Sequence, residues 1–319
     1  MSKQLDGGAP TILGVVVSSP HGVSMPTNRL SIADSLFGFL NADKKKRNKM
    51  LREEMLRAIR NKSFLLSIVL AFFSLAHGFA DYMGPTHLRT PDYIRLLPPF
   101  YYNAYDAVIW AEWFSLFGFI APLIAVLPFS DSLGQDRTSG FLRFILSRSS
   151  HRLYFVSKSI AAVFAGGLAV SVPVLLLFVL SNVVFERGIN LDVYETKLIT
   201  SPDALGPFGA LYQSAPDLYI LSLAALGFVF GAVYALLGLS VSAISDNRYI
   251  TLATPFLAYT LVNFGMEILG GLSKWIPMSA LLPFWYRGIQ WIHIGLSLGI
   301  ALGVSMALFL LAGRLKRDR

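Results

Sequence analysis

The chain contains no cysteine. That removes disulfides, thiolate metal sites and cysteine nucleophiles, and it says nothing of the compartment. Charge is scarce too. Only 14% of the 319 residues are Asp, Glu, Lys or Arg, where a soluble domain carries about a quarter. No G-x-x-x-x-G-K-[ST] phosphate-binding loop occurs, and no polar stretch is long enough for a nucleotide-hydrolysing domain. Period-two alternation is missing from the apolar stretches, which argues against a transmembrane barrel. The spans also carry few carboxylates and histidines. That disfavours an intramembrane enzyme or a multi-residue ion relay.

Hydrophobic residues make up 54% of the sequence, and the mean hydropathy is +0.57. They fall in long runs, which predict helices because backbone groups in lipid must be satisfied within the segment. A helix needs roughly 20 apolar residues to cross the hydrocarbon core. Six runs qualify, at about 64–82, 107–129, 156–184, 218–245, 249–268 and 288–313. The expected fold class is therefore all-α: a polytopic membrane protein with six transmembrane helices and an N-terminal interfacial helix. Residues 64–313 form the transmembrane domain.

With the N-terminus inside, 21 of the 27 Lys and Arg lie in inner segments and six in outer ones. Positive charge is retained on the cytoplasmic side, so both termini are predicted to be cytoplasmic. Trp110, Trp113, Trp275, Trp285 and Trp291 all fall near predicted outer ends, where indole favours the interface. The net charge of +8 reads as this inside bias and as contact with anionic lipid, not as a nucleic-acid surface.

Residues 1–43 are rich in Gly, Pro, Ser and Asn and read as a disordered cytoplasmic tail. Their short apolar patch does not read as a signal peptide. Residues 44–63 are basic and amphipathic: Leu51, Met55, Ala58 and Ile59 share one helical face, and Glu53 and Arg57 are set for an i,i+4 pair on the other. This is the expected interfacial helix. Residues 314–319 form a short basic tail. Gly227 and Gly231 in the fourth span, and Gly295, Gly299 and Gly303 in the sixth, permit close helix approach. Packing within one subunit and a dimer face both fit those stripes.

The connection Asp131–Lys158, DSLGQDRTSGFLRFILSRSSHRLYFVSK, holds four arginines and a lysine around an apolar cluster. On composition alone it fits a solvated basic loop held to anionic lipid. Its Asp131, Asp136, Gly140, Ser147–Arg148, His151–Arg152, Tyr154 and Lys158 form a pattern that resembles permeases of the type-2 ABC transporter family. The order of features over roughly residues 48–313 resembles it as well. The resemblance implies that this loop carries a coupling helix, best placed at Gly140–Ser149, that docks on an ATP-binding-cassette ATPase. The expected coupling residues are Asp136, Gly140, Phe141, Leu142, Arg143, Phe144, Arg148 and Arg152. It also implies two copies of the ATPase, a second permease subunit in a homo- or heterodimer, and export across the plasma membrane of a bacterium or archaeon. ATP and Mg would sit on the partner ATPase, with no cofactor on this chain.

Glu112 is the clear acid inside a span, and buried ionisable groups in membranes default to functional candidates. Pairing with Arg89 or Arg95 at the interface explains it equally well. Asn263 and Glu267 share a face of the fifth span. Together these three residues are the candidate substrate pathway. The alternative function is a secondary transporter or channel with Glu112 and Glu267 as a proton or cation relay. His77 and Asp81 are spaced i,i+4 but are too few for a metal site. The segment Gly271–Arg287 is too apolar for a free loop and reads as a re-entrant or interfacial hairpin.

Overall fold

The computed structural model describes residues 47–84, 102–147, 150–188 and 203–315, all within the unit Lys46–Arg319. The predicted tail 1–43, Lys44–Lys46, Arg89, Arg95, Arg148 and the last residues 316–319 lie outside them. Among the described residues there is helix and no strand. In chain order the α-helices are α1 (47–59), α2 (Lys62–Tyr82), α3 (Ala104–Trp113), α4 (Phe117–Val126), α5 (Ser132–Thr138), α6 (Phe141–Leu146), α7 (His151–Val184), α8 (Gly209–Ser214), α9 (Pro216–Ile244), α10 (Arg248–Ile268) and α11 (Trp291–Leu315).

Among the described residues, four helices are long and apolar enough to cross a membrane: α2, α7, α9 and α11 through Ala312. The pair α3–α4 qualifies as a fifth only if taken as one span bent by 79°. Several apolar helices of this kind suggest a membrane-embedded protein. Large apolar side chains such as Phe73 on α2, Leu261 on α10 and Leu310 on α11 stay exposed, as lipid contact requires.

The expected second span departs from a straight helix. Its apolar run is continuous, yet the chain turns at 114–116. There the Ser115 hydroxyl accepts from the Phe117 N–H at 3.2 Å, one residue ahead of Leu116, which caps the new helix without a side-chain bond. Tyr259 of α10 fixes the far side of the break by donating to the Gly118 carbonyl at 2.6 Å. The expected fifth span is present as the 21-residue helix α10. It is less apolar than the four above, since Tyr249, Thr251, Thr254, Tyr259, Thr260, Asn263 and Glu267 interrupt it, and it does not join them as a candidate span.

The core is the contact of α7 with α9. A Cβ added at Gly231 would lie 2.4 Å from the Gly166 carbonyl oxygen, and one at Gly166 would lie 2.3 Å from Ala235 Cβ. The Gly227–Gly231 stripe therefore packs inside the subunit. Gly295, Gly299 and Gly303 of α11 face open space, with no atom within 4 Å of an added Cβ. The segment 271–287 contains two 3-10 turns, Ser273–Trp275 and Pro277–Ala280, and not a pair of helices. Ile276, Leu281, Leu282 and Phe284 are buried, so it closes the end of the bundle at which α10 stops and α11 begins.

Candidate functional site

Two short helices, α5 and α6, occupy the connection between α4 and α7. A turn at Gly140 separates them, with φ +74° in the left-handed region that favours glycine. Gly140 is thus a backbone requirement of the loop.

Asp136 on α5 is fully buried, and three side chains converge on its carboxylate. Arg57 Nη2 of α1 lies 2.7 Å from Oδ1, and Lys158 Nζ of α7 lies 2.7 Å from Oδ2. The Tyr154 hydroxyl donates to Oδ2 at 2.7 Å. Lys158 also reaches Glu54 Oε2 of α1 at 3.2 Å, and it stands 4.7 Å from the centre of the Phe129 ring. Two acids and two bases make the cluster neutral, which a buried ionic group requires. Burial alone would raise the Asp136 pKa. The Arg57 hydrogen bond, the Lys158 charge and the hydrogen bonds from Lys158 and Tyr154 outweigh it and hold the carboxyl below its ordinary value.

The geometry follows from helical spacing. Tyr154 and Lys158 are one turn apart on α7, and Glu54 and Arg57 are one turn apart on α1, so each pair presents one face to Asp136. The expected Glu53–Arg57 pair is not formed. Arg57 turns to the buried Asp136, where its charge gains more than beside an exposed Glu53.

The helix α6 buries none of its six residues. Phe141 and Phe144 are 47% and 71% exposed, and Arg143 is exposed. Leu142 and Ile145 pack partly against the core around Tyr154 and Ala161. Arg57 lies over the Phe141 ring at 5.7 Å. Between α1 and α6 runs an open groove of about 560 Å³, lined by Glu53, Glu54, Arg57, Asp136, Ser139, Phe141 and Phe144. Arg152 is exposed at the start of α7. Of the expected coupling residues, Asp136 is therefore a buried anchor, and Phe141, Arg143, Phe144 and Arg152 are surface.

Sequence reasoning passed over other members of this end. Arg57 and Glu54 reach the loop from another helix. Asp131 binds Arg248 Nε at 2.9 Å at the start of α10. Arg137 donates to the carbonyls of Ser242, Ala243 and Ser245 at 2.7, 3.0 and 3.3 Å and pairs with Asp246. No side-chain pattern in the sequence marks those carbonyls.

The candidate pathway residues are not brought together by any contact among the described residues. Glu112 is buried on α3, and its Oε2 has no hydrogen-bond partner among the described residues. Asn263 donates to the Tyr259 carbonyl at 2.9 Å and accepts the Met278 N–H at 3.0 Å, so it pins the 277–280 turn to α10. Glu267 is exposed and accepts from the Tyr286 hydroxyl at 3.0 Å. His77 and Asp81 are both exposed on α2. Comparisons with protein-family models and with curated proteins found no match to this chain.

Proposed function

We propose that the chain is the membrane-spanning permease subunit of an ABC exporter, and that α6 is the element a separate ATPase subunit grips. One observation carries this reading. The helix α6 leaves two phenylalanines exposed, while the loop that holds it is anchored through the buried Asp136 by ion pairs to α1 and α7. A loop whose only task is to join two helices gains nothing from exposed aromatics on an ionic anchor. A surface that receives force from a partner needs both.

Further support comes from where the basic segments meet. Arg57 of α1, Asp131 and Asp136 of the connection, Lys158 of α7 and Arg248 of α10 are linked at one end of the bundle, as they would be if all faced the cytoplasm. Counting α3–α4 as one bent span and α10 as another gives six, with α1 and the end of α11 packed at the same end of the bundle. ATP and Mg would belong to two ATPase subunits, and a second permease subunit would complete the pathway. The closing of the ATPase pair would move α6, and the spans would re-pack between inward- and outward-open states.

The second reading, a secondary transporter, is favoured by one observation, the burial of Glu112 inside the bundle. Reconstitution separates the two. The chain with a cognate ATPase subunit is expected to couple ATP turnover to transport. Transport that continues without ATP and collapses with the proton gradient would select the second reading and reject the first.

A further inference from the structure

The two adjacent residues Asp136 and Arg137 grip different parts of the molecule. Neighbours on an α-helix point about 100° apart. Asp136 accordingly faces α1 and α7, and Arg137 faces the end of α9. The last carbonyls of a helix have no partner within it, and a cation there is doubly suited, by hydrogen bonds and by the helix dipole. Arg137 supplies that cation from another element. It holds the carbonyls of Ser242, Ala243 and Ser245, and α9 ends at Ile244.

Gly134 of α5 and the turn just before the helix make other contacts with α9 and α10. The Gly134 N–H donates to Ser242 Oγ at 2.9 Å, the Ser130 hydroxyl to the Ala235 carbonyl at 2.9 Å, and Asp131 holds Arg248. Only Ser245, Asp246 and Asn247 separate α9 from α10. The short helix α5 therefore sits between the exposed helix α6 and two separate sets of bundle helices.

We propose that Arg137 is a positioning residue that carries displacement of α6 to the α9–α10 joint, on a branch separate from the Asp136 branch to α1 and α7. That α6 is the point of input rests on the proposed function; that α5 divides into two branches does not. The carbonyl bonds carry the Arg137 branch. Asp246 is 56% exposed, and an ion pair so screened adds little.

The chain has no cysteine, so introduced cysteines report alone. Spin labels at Phe144→Cys with Tyr249→Cys read α6 against the start of α10. Labels at Phe144→Cys with Arg52→Cys read α6 against α1. In the full chain in lipid nanodiscs, Arg137→Gln is expected to broaden the 144–249 distance distribution and leave 144–52 as in the parent. Arg57→Gln, which keeps the Asp136–Lys158 pair, is expected to do the reverse, and Asp246→Asn to change neither. If Arg137→Gln does not yield folded protein, Arg137→Lys serves: it keeps the charge, loses the fork, and is expected to broaden 144–249 as well. The proposal is overturned if the Arg137 variant leaves 144–249 unchanged, or if it broadens both distances alike. In the assembled transporter, Arg137→Lys is expected to lower transport per ATP by about tenfold, with the ATPase co-purifying as before. Parent-level transport per ATP overturns the branch. An ATPase that never binds the parent chain overturns the proposed function instead, and leaves the distance result standing.

Discussion

The two ends of the bundle are dominated by different side chains, ion pairs at the α6 end and aromatic rings at the other. At the α6 end the buried acids have cations: Asp136 has Arg57 and Lys158, Glu54 has Lys158, and Asp131 has Arg248. At the other end, buried Asp106 of α3 accepts from Asn103 Nδ2 at 2.8 Å and from the Tyr212 hydroxyl. The same end carries ring contacts, with Trp113 against Phe284 and Trp285, and Trp275 against His293. A buried polar network is strengthened by the low dielectric and costly to leave half-satisfied, whereas ring pairs gain from buried area and from edge-to-face or offset contact.

Substitutions can break this contrast. The largest loss is expected from Lys158→Met, which strands Glu54 and leaves Asp136 with Arg57. Removing one partner of a buried ionic group costs about 3–5 kcal/mol, and thermal unfolding in detergent should report it. The central packing comes next. Gly231→Ala forces α7 and α9 apart and should cost about 1–3 kcal/mol, whereas Gly299→Ala on the open face of α11 should stay within about 0.5 kcal/mol of the parent. Equal losses at the two glycines would contradict the packing described. At the aromatic end, Tyr259→Phe removes the hydrogen bond to Gly118 that holds the α3–α4 break, a cost of about 1 kcal/mol in the same assay.

The smallest effect is in pH. The Asp136 carboxyl is depressed in the folded state, so its contribution is present above the unfolded carboxylate value of about 3.9. It is lost as pH falls through the lower folded value. Melting temperature measured from pH 7 down to pH 3 should therefore fall less in Asp136→Asn than in the parent over the acid limb. A parallel fall would show that Asp136 contributes nothing there.

The loop was legible as a motif because its contacts are short in sequence. Asp136, Tyr154 and Lys158 lie within one connection, and helical spacing alone brings the last two onto one face. The cations and acids from α1 were not. Arg57 stands one turn from Glu53, and local spacing favours that pair; only the burial of Asp136 draws Arg57 away. The break at 114–116 was hidden for a different reason. Hydropathy reads Trp113–Val126 as one apolar run, and the bend of 79° between α3 and α4 leaves no mark in it. The polar residues of α10 were visible in the sequence, but the long run around them outweighed them. Arg137 was overlooked because its partners are backbone carbonyls, which no side-chain pattern announces.

The central claim is that α6 is the surface a partner ATPase holds. The most direct measurement is co-purification of a cognate ATPase subunit with the chain and with a variant in which Gly140–Ser149 is replaced by a flexible Gly/Ser linker. Asp136, Lys158 and Arg57 remain in that variant, so its melting temperature should stay near the parent's. The account predicts that the ATPase is lost from the variant and retained by the parent. Equal retention by both would contradict it.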